Sequence, residues 1–251
     1  MILNHFDLDI TNFGARETIS KRSLADLKCA MCNTLIEFIY KLTWLFEIFL
    51  KGYYQMKHIL VTGGAGFIGS HFVRYMLEKY PDYAINMLDK LTYAGNLSNL
   101  SDVQECYGPL ERYHFFQGDI CDPTSVKEAM QGCEYVLNFA AESHVDRSLE
   151  HPGHFIMTDV YGTYVLLEQA RKEHIERFVQ ISTDEVYGEI LSGNAGEDAN
   201  VIPRSPYSAS KAGGEFIAQA YFVTYGLPVI ITRGSNNFGP FQHPRSLFRF
   251  S

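Results

Sequence analysis

Tyr207 and Lys211 stand four residues apart in Ser205-Pro-Tyr-Ser-Ala-Ser-Lys211, so on a helix their side chains share one face. An ammonium beside a phenol favours the phenolate, which makes such a pair a proton acceptor for a hydroxyl group near neutral pH. A second concentration of reactive groups is Thr183-Asp184-Glu185, one hydroxyl and two carboxyls directly after an apolar run. A third is Gly63-Gly64-Ala65-Gly66-Phe67-Ile68-Gly69, which follows the apolar His58-Ile-Leu-Val-Thr62. Glycines there let the backbone turn tightly and approach a pyrophosphate, whose charge meets the free N–H groups and positive dipole end of the helix that follows.

These groups must be held by elements, and from Lys57 onward short apolar runs alternate with amphipathic stretches. That is the pattern of an α/β fold, a doubly wound parallel sheet with helices on both faces. The runs predict strands at 58–62, 84–89, 113–118, 134–140, 177–182 and 228–233. Helices are predicted at 67–79, 123–131, 153–173 and 206–225, the last two opened by Pro152 and by Ser205-Pro206. The glycine turn then lies between the first strand and first helix, and Asp89 closes the second strand, where it can accept hydrogen bonds from ribose hydroxyls. Its charge disfavours an extra phosphate, which points to NAD over NADP; Lys90 next to it weakens that argument. Gly118-Asp119-Ile120 reads either as a frame for an adenine or as an ordinary turn at a strand end. The carboxyl edge of the fifth strand, where open α/β sheets bind ligands, carries Thr183 to Glu185.

Net charge is −8 with a pI near 5.6, which gives no broad basic surface for nucleic acid. Five cysteines in 251 residues, an odd number, fit a reducing compartment such as the cytoplasm better than a disulfide framework. Cys29-x-x-Cys32 lacks a second pair at metal spacing, so no metal is expected. Residues 1–55 read as an N-terminal extension: six acidic and six basic residues cancel, and nothing there connects with the chemistry downstream. Leu35 to Leu50 is apolar but interrupted by Glu37, Lys41 and Glu47, too charged for a comfortable membrane span. It is either an amphipathic helix for a surface or partner, or upstream sequence before a natural start at Met56.

The motif set resembles the extended short-chain dehydrogenases/reductases, most closely the dTDP-glucose 4,6-dehydratase subgroup. The residues that carry this are Gly63 to Gly69, Ser182-Thr-Asp-Glu-Val-Tyr-Gly188 and Tyr207-Ser-Ala-Ser-Lys211, with Asp89 to Asn96, Ala140 to Ser148 and Ser235 to Pro240. The resemblance covers about Met56 to Pro244, and it implies a Rossmann domain over 56–244 and a homodimer joined by its two long helices. It further implies a nucleotide-sugar substrate, a place in deoxysugar chemistry such as rhamnose biosynthesis, and a redox-neutral dehydration. Tyr207, with Lys211 and Thr183, would take the proton of the sugar C4 hydroxyl while a hydride passes to NAD. Glu185 would then remove the C5 proton, Asp184 would protonate the departing C6 oxygen, and the hydride would return to C6. By the same carry-over Gly63, Gly66, Phe67, Ile68, Gly69, Asp89, Lys90, Thr92, Asp119, Ile120, Ala140, Ala141, Thr158, Tyr207, Lys211 and Asn237 would contact NAD. Ser143, His144, Thr183 and Asn236 would line the sugar side.

The family's chains continue past Pro244 with a lobe that grips the base and diphosphate, which this sequence largely lacks; Arg245 to Ser251 form a divergent tail. Base recognition is therefore open between dTDP-, UDP- and CDP-glucose. Three readings stand: a 4,6-dehydratase, an inactive NAD-binding fragment, and a nucleotide-sugar decarboxylase or 4-epimerase. The last does not explain why two acids stand together, since epimerisation at C4 needs no elimination.

Overall fold

The computed structural model describes residues 56–143 and 145–242; the side chains of 145 and 146 are outside that description. The chain divides between Gln55 and Met56, and everything described belongs to the second unit. Cys29-x-x-Cys32, the 35–50 segment, His144 and the 245–251 tail lie outside the described residues.

Six parallel strands are ordered β3-β2-β1-β4-β5-β6. They are β1 (Lys57–Thr62), β2 (Tyr83–Asp89), β3 (Tyr113–Gln117), β4 (Tyr135–Asn138), β5 (Arg177–Thr183) and β6 (Val229–Gly234). The order reverses between β1 and β4, and a crevice forms at the carboxyl ends there because the flanking connections diverge to opposite faces. In β1, Ile59 and Val61 pack toward one face with Val73, Leu77, Ile85, Met87, Leu100 and Val103. Leu60 packs toward the other with Leu88, Val126, Val136, Leu166 and Phe178. Burial on both faces explains why β1 and β2 read as continuous apolar runs.

The helices are α1 (Phe67–Lys79), α2 (Ser101–Tyr107), α3 (Pro123–Met130), α4 (Val145–Glu150), α5 and α6 (Pro206–Tyr225). We treat Pro152–Phe155, Ile156–Gly162 and Thr163–Lys172 as one helical run, α5, because the backbone stays right-handed helical through both joints; its middle part is a π-helix. Helix α6 begins at a capping box in which Ser205 Oγ accepts from Ser208 N, has Pro206 in its first turn, and stops at Gly226 in the left-handed conformation. Gly213 and Gly214 sit mid-helix, where glycine costs about 1 kcal/mol relative to alanine. The reason is contact with α5: a Cβ on Gly214 would lie 2.7 Å from the Asp159 carbonyl oxygen.

Several expectations need correction. The helix expected at 153–173 is interrupted by the π stretch, and the strand expected at 134–140 is only Tyr135–Asn138, because Phe139, Ala140 and Ala141 leave the sheet to wall the crevice. The 3₁₀ turn Leu97–Leu100 with α2, and α4, were not anticipated.

Candidate active site

A cleft of about 600 Å³ opens at the carboxyl ends of the strands. Its first wall is the turn after β1. Gly63 has φ +68, and a Cβ there would stand 2.6 Å from the backbone nitrogen of Ala140, so any side chain would push apart the β1 and β4 connections. Helix α1 starts at Gly66 with no side-chain cap, which leaves its first N–H groups facing the cleft. Opposite, Ser182 Oγ is buried with no hydrogen-bond partner among the described residues. A glycine cradle, uncapped helix N–H groups and an unsatisfied hydroxyl in one cleft fit a bound diphosphate dinucleotide.

Asp89 is 9% exposed, and its carboxylate accepts from Ala65 N at 3.0 Å and Leu91 N at 2.8 Å. Burial pushes its pKa up, against the pull of those two N–H groups. Lys90 is engaged by Asp119 at 2.6 Å, and this contact raises the lysine. Burial pushes Asp119 up, but the Lys90 contact and the Cys121 N–H outweigh it, and the net shift is downward. Asp119 thus makes the strand-end turn and also lines the cleft, so the two readings of Gly118-Asp119-Ile120 hold together.

On the chemical side, Lys211 is 6% exposed and its Nζ donates to the Ile181 carbonyl at 2.7 Å. Burial lowers its pKa, and the Asp159 and Glu215 carboxylates oppose that shift. Tyr207 sits edge-on to Phe155, ring centres 6.3 Å apart. Strand β5 runs into a 3₁₀ turn, Asp184–Tyr187, in which Thr183 Oγ1 accepts from Glu185 N and donates to Asp184 Oδ1, both at 3.2 Å.

The cleft gathers all the residues expected around the cofactor, together with Ser143, Thr183, Glu185 and Asn236. Asp184 is exposed and absent from the lining, so the acid pair is split, one carboxyl inside and one at the rim. Two features escaped sequence reasoning. Asp159, in the π stretch, is 2% exposed; its carboxylate accepts from Ser210 Oγ at 2.6 Å and Glu142 N at 3.1 Å. Burial raises its pKa to about 6, with the Lys211 charge opposing. Arg233 pairs with buried Glu215 at 2.7 Å. The signal for the first was Gly162-Thr163 and Gly213-Gly214, small residues that mark two helices in close approach. Among the described residues no group of His, Cys, Asp and Glu could hold a metal, and no helix is long and apolar enough to cross a membrane.

A six-stranded parallel sheet with a glycine turn after β1 and a Tyr-x-x-x-Lys helix behind β5 defines a dinucleotide-fold protein of the short-chain dehydrogenase/reductase type. Residues 60–249 match the GDP-mannose 4,6-dehydratase family model, and the chain belongs to that family. It is 50% identical over 189 residues to the low-salt glycan biosynthesis protein Agl12 of Haloferax volcanii, covering 75% of this chain and 59% of that one. It is 50% identical over 192 residues to a dTDP-glucose 4,6-dehydratase of Streptomyces griseus, covering 76% and 57%. The crystal structure of DesIV, a dTDP-glucose 4,6-dehydratase from Streptomyces venezuelae with NAD bound, superposes with a TM-score of 0.72 at 49% identity, covering 76% of this chain and 59% of that one. The chain therefore spans less than three fifths to about three fifths of the length of these relatives.

Proposed function

We propose that this protein is an NAD-dependent nucleotide-sugar 4,6-dehydratase acting on dTDP-glucose. The observation that carries the reading is that Thr183 and Glu185 from the turn after β5, and Tyr207 and Lys211 from α6, line the same cleft as the glycine turn. NAD supplies the chemistry of taking up a hydride from the sugar and giving it back. Gly63, Gly66 to Gly69 and Asp89 would hold it, with Lys90 neutralised by Asp119 and so not presented to a 2′-phosphate.

The chain's own residues divide the proton work. Lys211, docked on the Ile181 carbonyl, holds a positive charge beside Tyr207 and stabilises the phenolate that takes the C4 hydroxyl proton. Thr183, whose hydroxyl donates to Asp184 before substrate enters, would turn to donate to the same oxygen as it becomes a ketone. That ketone acidifies C5, whose proton Glu185 removes from inside the cleft. Asp184, at the rim, gives its proton to the departing C6 oxygen, so water leaves and a C5–C6 double bond remains; with the hydride given back at C6 and the proton held by Glu185 returned to C5, the product would be a 4-keto-6-deoxy sugar. Splitting the acid Asp184 from the base Glu185 suits an elimination, in which the two groups act on neighbouring carbons.

The exposed apolar residues Met157, Tyr161 and Tyr164 on α5 with Phe216, Phe222 and Val223 on α6 support a homodimer. We further assign the protein to the cytoplasm, supplying a deoxysugar pathway of the rhamnose type. The test is incubation of the purified chain with dTDP-glucose and NAD, followed by mass and alkaline absorbance of the 4-keto product. Product supports the reading. NAD binding with no product from dTDP-, UDP- or CDP-glucose refutes it in favour of a cofactor-binding fragment.

A further inference from the structure

Arg233, at the C-terminal end of β6, makes more contacts than an ion pair requires. Its Nε donates to both carboxylate oxygens of Glu215 at 3.1 Å, and its Nη2 donates to Glu215 Oε2 at 2.7 Å. Its Nη1 donates to Tyr187 Oη at 2.9 Å and to the Glu197 carbonyl at 3.4 Å, and the guanidinium carbon lies 4.8 Å from the centre of the Tyr187 ring. Glu215 is 2% exposed. A buried ion pair is weak as a source of stability, because desolvation offsets most of its attraction; what it supplies is direction. The planar guanidinium fork fixes the angle between its partners in a way an ammonium does not.

The partners matter because of what each is attached to. Glu215 is one helical turn beyond Lys211 on α6, and its charge is among those that favour the Lys211 ammonium. Tyr187 is the last residue of the 3₁₀ turn that carries Glu185, and at its other end the turn is capped by the Thr183 hydroxyl, which accepts from Glu185 N. Beyond it, Gly188 N donates to the Glu185 carbonyl and Ile202 N to the Val186 carbonyl. The guanidinium is therefore a polar link between the helix holding the redox pair and the turn holding the acid and base.

We propose that Glu215, Arg233 and Tyr187 form a positioning relay that sets the Glu185 turn in register with Tyr207 and Lys211, and so governs C5 proton removal. The proposal rests on the dehydratase reading above; none of the three is a catalytic residue.

The test uses Tyr187→Phe, which keeps the ring and deletes the hydroxyl, and Arg233→Lys, which keeps the charge and deletes the fork, in the full chain. Amide hydrogen exchange needs no substrate. At Glu185 to Gly188 it should quicken by about tenfold in both variants, with β5 amides and the melting temperature of Tyr187→Phe unchanged. With dTDP-glucose, kcat should fall by about ten- to a hundredfold, as expected for a displacement near 1 Å, while KM and NAD affinity hold. The isotope effect from deuterium at C5 should rise, because proton removal has become slower than the other steps. Unchanged exchange in the turn overturns the relay. So does a loss of kcat with no change in the C5 isotope effect. If the parent chain makes no product, the dehydratase reading fails, and the exchange data alone then decide whether the relay holds the turn.

Discussion

Replacing Asp159 by Asn removes a buried charge whose cost can be worked from its surroundings. The carboxyl is 2% exposed, and burial raises its pKa from 3.8 to about 6 against the opposing pull of Lys211, Ser210 and the Glu142 N–H. The charges facing it are Lys211 from α6 and Glu142 from the β4 connection, with the Cys121 thiol on a third side. At about 1.4 kcal/mol per pH unit, that rise corresponds to about 3 kcal/mol of preference for the neutral form. Because the folded pKa lies above the unfolded one, the stabilisation from the neutral carboxyl is complete below pH 3.8 and is lost as pH climbs through about 6. Asn has no such loss. The gap in stability, variant minus parent, should therefore widen in the variant's favour by about 2.4 kcal/mol between pH 4 and pH 7.5, roughly 5–10 °C in Tm for a unit of this size. Thermal melts of both proteins across that range measure it. Asp102, Asp122 and Glu168 have lowered pKa values and impose the opposite slope, but they are common to both proteins and cancel. A gap that stays constant with pH would refute the assignment of a titrating buried carboxylate to this position.

Gly63→Ala should lower Tm and abolish NAD binding measured by calorimetry, since its Cβ meets backbone at 2.6 Å in a positive-φ turn; Gly196→Ala, with nothing within 4 Å, should do neither. Iodoacetamide at pH 8, mapped by peptide mass, should label exposed Cys106 in the native protein and spare Cys133 and Cys121, whose thiols burial pushes up to about 12. Phe222→Glu with Val223→Glu, both exposed on α6, should halve the mass seen by sedimentation without changing the melt. Unchanged mass would place the dimer elsewhere or deny it.

How much was legible in the sequence depended on how local the cause was. Helices α1 and α6 match the expected ends because their start signals are adjacent residues, the Gly66 entry and the Ser205-Pro206 box, and the structure adds Gly226 as the stop of α6. The short elements at 97–107 and 145–150 carry too few turns to show periodicity, and the π stretch has no period of its own to read. The residues that line the cleft were legible because they lie in contiguous motifs, the glycine turn, Asp89 and Thr183 to Glu185 at strand ends and Tyr207-x-x-x-Lys211 at a helix start. Asp159 and the Glu215–Arg233 pair were not, because what makes them matter is contact with Ser210, 51 residues on, and with Tyr187, 46 residues back. In the sequence each is one charge among many on a helix or strand.

The π-helical part of α5, Ile156–Gly162, bears on insertions and deletions. Hydrogen bonds spanning five residues accommodate one residue more than an α-helical path of the same length, and here the extra room brings Asp159 inward while Thr163 Oγ1 donates to the Asp159 carbonyl. Loss of any single residue between Ile156 and Gly162 would let the segment relax into an ordinary helix. The preceding turn would then rotate relative to α6, carrying Thr158 away from the cleft wall. In this stretch the count of residues constrains the site as firmly as their identity, so a shortened α5 should be tolerated by the core and fatal to the cleft.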